Sequence, residues 1–216
     1  MTTYVEFHPQ ITRSAGGRPK LSGVSSSKLR APGTDDALEQ ILETFEYDLH
    51  KPTSIEAWRV GSTSCYLVHL GFALRFSTGN LRWLRFEVTL DHHPIPMLRI
   101  AALLPKLIET DMEFVGPISV SEAGGLHRET VKVGSSGLRG TKFNANVLGF
   151  LPDARTACWD FLPFDSTLGT ESDSLVMSVC APSGEHLVIR ARLCFAIQIP
   201  GIGMANMQCP SEIGIC

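Results

Sequence analysis

Beyond residue 64, apolar and polar side chains alternate with a period of two. Tyr66, Val68, Leu70, Phe72, Leu74 and Phe76 mark one such stretch, and Leu84, Phe86, Val88 and Leu90 the next. Between them lie the turn formers Ser77-Thr78-Gly79-Asn80. This pattern predicts two strands joined as a hairpin, each with a continuous apolar face that a second layer must cover. The clearest strand runs over 186–199. There Leu187, Ile189, Ala191, Leu193, Phe195, Ile197 and Ile199 alternate with Val188, Arg190, Arg192 and Gln198, after the turn Pro182-Ser183-Gly184-Glu185. Further strands are predicted near 112–121 and 127–133, separated by Glu122-Ala123-Gly124-Gly125, and near 141–151, 156–162 and 174–181. The stretch 94–108 is ambiguous. Met97, Ile100, Ala101 and Leu104 suit a short helix, which Pro105 would interrupt.

A period of 3.6 occurs once. Leu38, Ile41, Leu42, Phe45 and Leu49 recur along one helical face. Asp36 can cap that helix with Glu39 three residues on, and Pro52 blocks its continuation. Its other face carries Asp35, Asp36, Glu39, Glu43, Glu46 and Asp48, either as a solvated face or as a dock for a basic partner. The fold class expected is mainly β (α+β). It is an antiparallel β-sandwich or flattened barrel of about seven to eight strands with one amphipathic helix near the N-terminus. Three regions follow: a flexible basic Ser/Gly/Pro-rich arm over 1–34, a single β-rich globular domain over 35–200, and an irregular C-terminal tail over 201–216.

Charge sets the arm apart. Residues 1–34 carry Arg13, Arg18, Lys20, Lys28 and Arg30 against one acid, Glu6, while the chain as a whole has a net charge of −3. The body is therefore acidic, and any polyanion contact belongs to the arm or to a local patch. A hydrophobic share of 44% and a charged share of 19% over 216 residues fit a globular domain with one well-buried core. The start, MTTYVEFHPQ, has no secretory h-region, and no run reaches the ~18 apolar residues of a spanning helix. Cys65, Cys158, Cys180, Cys194, Cys209 and Cys216 form no Cys-x-x-Cys pair, and most lie in apolar strand-like runs. They read as free thiols in a reducing, cytoplasmic or intracellular setting, or in a virion.

Candidate chemistry is sparse. Val133 to Lys142 holds three glycines with Arg139 and Lys142, enough to contact a phosphate through backbone N–H groups and charge. A catalytic phosphate loop would end Gly-Lys-Ser/Thr and open a helix, whereas this segment reads Gly-Thr-Lys before a strand-like run. His92 and His93 are adjacent, so on an extended chain they point to opposite faces and do not share an ion easily. Cys158-Trp159-Asp160 lacks a neighbouring histidine base, and Ser25-x-x-Lys28 sits in the arm without rigid support. Arg82, Trp83 and Arg85 could stack a base or grip a lipid headgroup, or could simply lie along the edge of the core.

Three functions compete. The leading expectation is a non-enzymatic, self-assembling structural protein, coat- or matrix-like in layout, that binds copies of itself. Arg13, Arg18, Lys20, Lys28, Arg30, Arg139 and Lys142 would contact neighbouring subunits, nucleic acid or an anionic surface. The alternative is a membrane-active, pore-forming β protein, since the strands of the expected hairpin over 65–90 have about the ~10 residues needed to cross a bilayer. The third is an enzyme or small-ligand binder with a scattered site. No catalytic, cofactor or metal set is expected, and no small-molecule substrate is evident.

Overall fold

The computed structural model describes residues 10–12, 20–22, 46–76, 79–91, 98–108, 112–132, 141–142, 145–163, 169–199, 203–209 and 212–215. Two sheets enclose the core. Five strands build the first: β3 (Glu46–Leu49), β4 (Thr53–Val60), β5 (Thr63–Arg75), β7 (Arg99–Leu104) and β14 (Gly169–Pro182). Its order is β3-β5-β14-β7, and β4 follows β3 along the same edge of β5.

The second sheet has nine strands. β1 (Gln10–Thr12), β2 (Lys20–Ser22), β6 (Asn80–Leu90), β8 (Leu107–Ile108), β12 (Ala145–Asp153), β13 (Thr156–Pro163), β15 (Val188–Ile199) and β16 (Gly203–Gln208) run in the order β2-β1-β16-β15-β6-β13-β12-β8. The ninth, β17 (Glu212–Ile215), also pairs with β15. A separate three-stranded sheet holds β9 (Met112–Val120), β10 (Leu126–Lys132) and β11 (Thr141–Lys142). Every pairing is antiparallel except β1 with β16. The antiparallel sandwich anticipated from the alternation is the fold.

Period two decides which side chains face inward. Val68, Leu70, Phe72 and Leu74 from β5 meet Leu84, Phe86 and Val88 from β6 and Ala157, Trp159 and Phe161 from β13, all buried. Phe72 bridges the layers: its ring lies 5.3 Å from that of Phe86 and 5.2 Å, edge-on, from that of Phe161. Such tilted and edge-to-face pairs are the favoured aromatic geometries. Trp159 is fully buried, and its indole N–H donates to the Leu104 carbonyl at 3.2 Å. That bond satisfies the only polar atom of the ring. The backbones come close nearby, because a Cβ on Gly149 would meet the Pro105 carbonyl oxygen at 2.1 Å. Only glycine fits there.

Several expectations are corrected. β5 and β6 do not pair as a hairpin. They lie in opposite sheets, and β5 takes β14 as its partner while β6 takes β13 and β15. Each strand's apolar face is covered by the other's sheet. The end of the expected helix, Glu46–Leu49, is strand β3 against β5, and the rest of that helix lies outside the described residues. Tyr47 is buried as a strand residue. Within the ambiguous stretch, Arg99–Leu104 is strand β7, where sheet pairing with β14 outweighs the helical spacing, and 94–97 lie outside the described residues. The tail expected to be irregular contains β16 and β17, both hydrogen-bonded to β15. Among the described residues no helix is long and apolar enough to cross a membrane, which says nothing of strands.

Candidate functional site

Strand β14 is buried on both faces, with Leu175, Val176, Met177, Ser178, Val179, Cys180 and Ala181 all inaccessible. Its inner face packs into the core. On its outer face Ser178 and Cys180 lie under the turn of the β9–β10 hairpin, whose strands pair with each other and with β11 but, among the described residues, with neither sandwich sheet. Within this hairpin Met112, Phe114, Ile118 and Val120 alternate with Glu113, Val115, Pro117 and Ser119. Leu126 stands opposite Val120, and Thr130 opposite Phe114. Ile118, Val120 and Leu126 pack against the core cluster, while Pro117, Ser119, His127 and Glu129 are exposed.

The tip of the hairpin is seated by small residues. Ser121 closes the turn with backbone bonds to Gly124 and Gly125, and its hydroxyl accepts from the Gly125 N–H at 2.9 Å. Gly124 has φ +81°, and a Cβ there would meet the Ala101 Cβ at 2.7 Å. Only a residue without a side chain sits this deeply in that conformation. Two further bonds clasp the tip. The Trp58 indole N–H donates to the Ser121 carbonyl at 3.0 Å, and the Ser178 hydroxyl donates to the Gly124 carbonyl. Beneath the tip lie Cys65 and Cys180, which stand opposite one another on β5 and β14.

The outer face of the nine-stranded sheet has a different character. Arg85 forms a two-bond ion pair with Asp160 at 2.6 and 2.8 Å, and its guanidinium lies 5.3 Å from the ring centres of both Trp83 and Phe150. The bond to Asp160 raises the Arg85 pKa. Arg192 pairs with Glu87 at 2.6 Å, and Arg190 with Asp91 at 3.2 Å. The Trp83/Arg85 pair is thus an arginine laid over aromatic rings with its charge already matched, while Arg82 points to solvent. Among these arginines, Arg85, Arg190 and Arg192 are therefore already matched by carboxylates.

Three thiols are shifted away from the thiolate form. Burial, followed by the neighbouring Glu87 carboxylate, pushes Cys158 up to about 11. Burial pushes Cys65 up to about 12, with the Cys180 sulfur adding to the effect, and it raises Cys194 as well. A thiol whose folded pKa exceeds its unfolded value stabilises the fold fully below the unfolded value, near 9.0. That stability is lost as pH climbs towards 11–12. The urea midpoint is therefore expected to fall between about pH 9 and 10.5, with a shallower slope in Cys158→Ala; identical slopes in the two proteins would refute the assignment.

The expected contact residues are not gathered into one site. Lys20 is in β2 opposite Thr12, and Lys142 is in β11 opposite Glu113, on different sheets. Arg13, Arg18, Lys28, Arg30 and Arg139 lie outside the described residues, as do His92 and His93. Among the described residues no group of three or more His, Cys, Asp or Glu is placed to hold a metal ion. Sequence reasoning placed the hairpin strands but missed their role. The available signal was an alternating pair of strands around Glu-Ala-Gly-Gly, which reads the same whether a hairpin joins a sheet or lies upon one.

No protein-family model matches the chain, and no curated protein matches it. Among solved structures it is similar to one described as a pore forming protein, with a TM-score of 0.46 and 12% identity over 80% of this chain and 88% of that one. A Clostridium perfringens delta-toxin gives 0.46 and 12%, covering 80% and 86%. The Clostridium perfringens NetB toxin in its membrane-inserted form gives 0.37 and 12%, covering 80% and 93%. Likeness at this level assigns no role to any residue.

Proposed function

We propose that this chain is a self-assembling β protein that acts on membranes, with the β9–β10 hairpin as the element that enters the bilayer. The observation that carries the reading is the hairpin's independence. It keeps its own ladder, joins neither sandwich sheet among the described residues and rests Ile118, Val120 and Leu126 on the body. Strand β9 has nine residues, about 30 Å at ~3.3 Å per residue, which matches the hydrocarbon core of a bilayer. A lone hairpin would leave backbone groups unpaired in lipid, so insertion requires several chains closing a barrel. Self-assembly and membrane entry are then one event.

Exposed apolar side chains support assembly. Ile55 and Val60 are 61% and 67% exposed on β4, which pairs only with β5 among the described residues. An open edge of this kind can accept a strand from a neighbour. The basic arm residues Arg13, Arg18, Lys20, Lys28 and Arg30 would add attraction to anionic headgroups. Nothing in the described residues favours a coat- or matrix-like role.

The test uses the full chain with dye-loaded phosphatidylcholine vesicles, with and without anionic lipid. Leakage is expected together with large assemblies on the vesicles by mass photometry. No leakage and no lipid binding at any pH would remove the reading.

A further inference from the structure

We propose that Cys65 and Cys180 form a gated dithiol, closed to reagents while the hairpin tip is seated and open to small disulfides when the tip lifts. The two residues are register partners on adjacent antiparallel strands, both buried and both reduced. Their sulfurs face the same side. A Cβ on Gly124 would meet Cys180 Sγ at 3.3 Å and Cys65 Sγ at 3.7 Å, so the tip backbone lies across the pair. Directly opposed residues in an antiparallel ladder have Cα atoms about 4.5–5.5 Å apart, inside the window that a disulfide requires. Closure therefore needs side-chain rotation and no change of strand register.

Seated, the pair is inert for two reasons. The tip blocks approach to both sulfurs, and burial disfavours the Cys65 thiolate. Lifting the tip removes both barriers. One thiolate then attacks a small-molecule disulfide RSSR, forming a mixed disulfide and releasing one RSH. The second thiol attacks the protein sulfur of that intermediate and releases the other RSH. Two electrons pass from the cysteine pair to the reagent, and the two thiol protons leave on the two RSH molecules. The remaining described thiols provide internal references: Cys158 and Cys194 lie on the nine-stranded sheet, and Cys209 follows β16, all away from the tip.

The proposal rests on the hairpin being able to leave the sheet, the motion that the membrane reading also uses. The experiment therefore contains no membrane. The full chain and the double variant Trp58→Phe/Ser178→Ala are exposed to oxidised glutathione at neutral pH. Trapped thiols and bridges are then mapped by mass spectrometry. The variant loses both donors that clasp the tip but keeps an aromatic ring at position 58. Formation of the Cys65–Cys180 bridge is expected to accelerate at least about tenfold in the variant, with Cys158 and Cys209 unchanged. Equal rates in the two proteins, or mixed disulfides that never close, would overturn the proposal. Should the variant fail to fold, sub-denaturing urea on the unmodified chain serves instead. Cys65 and Cys180 are then expected to become reactive before Cys158, and simultaneous exposure of all three would refute the gate. A gated dithiol in a protein that never leaks vesicles would leave this inference standing and remove the membrane reading.

Discussion

Ile118→Lys is expected to cut vesicle leakage at least tenfold, whereas Ser119→Lys should leave it within about twofold. The two residues are neighbours in β9 with opposite orientations: Ile118 packs against the core cluster and Ser119 is exposed. In a closed barrel, the face now turned onto the body would meet lipid and the other face the lumen. A lysine on the lipid face costs about 2–4 kcal/mol at mid-membrane, and less towards the interface. With ~1.4 kcal/mol per factor of ten, even the lower figure gives more than an order of magnitude, and every chain of the assembly bears it. Lysine at 118 also removes a partly buried contact in the unassembled protein. Leakage is therefore measured well below the melting temperature of both variants. Equal loss of leakage from the two would show that β9 does not present these faces to a bilayer.

Phe72→Ala is expected to lower the unfolding free energy by about 3–5 kcal/mol, a large share of the ~5–15 kcal/mol of a typical domain. Phe72 is fully buried and touches aromatic rings from two strands of the opposite sheet. Its loss opens a cavity that neither sheet can close without moving against its own ladder. Leu162→Ala, at a side chain 53% exposed, should cost no more than about 0.5 kcal/mol. Urea unfolding of both variants gives the comparison. A Phe72 cost no larger than that at Leu162 would mean that the two layers are not held by this contact.

The site is a harder case than the fold. The small-residue patch of Ala101, Ser178, Cys65 and Cys180 draws on β5, β7 and β14, and its cap comes from the hairpin. Each of these residues looks unremarkable in its own segment. What joins them is register. Cys65 meets Cys180 because β5 pairs with β14, more than a hundred positions away, and no local pattern encodes that distance. The basic arm, conspicuous in the sequence, marks a region of charge without marking its target.

Alternation by itself determined that the chain is an antiparallel β fold, sandwich or flattened barrel, and which side chains enter the core. Side-chain direction in a strand flips at every residue, so an apolar period of two can satisfy only a half-buried sheet. Tertiary structure alone decided the partners. Backbone hydrogen bonds are alike at every residue, so the period that fixes the inward face of β5 and β6 does not say whether they pair or oppose each other across the core. It is equally silent on β16 and β17, whose strands are made by pairing with β15. Nor does it reveal that the hairpin from Met112 to Lys132 keeps to itself and caps two thiols.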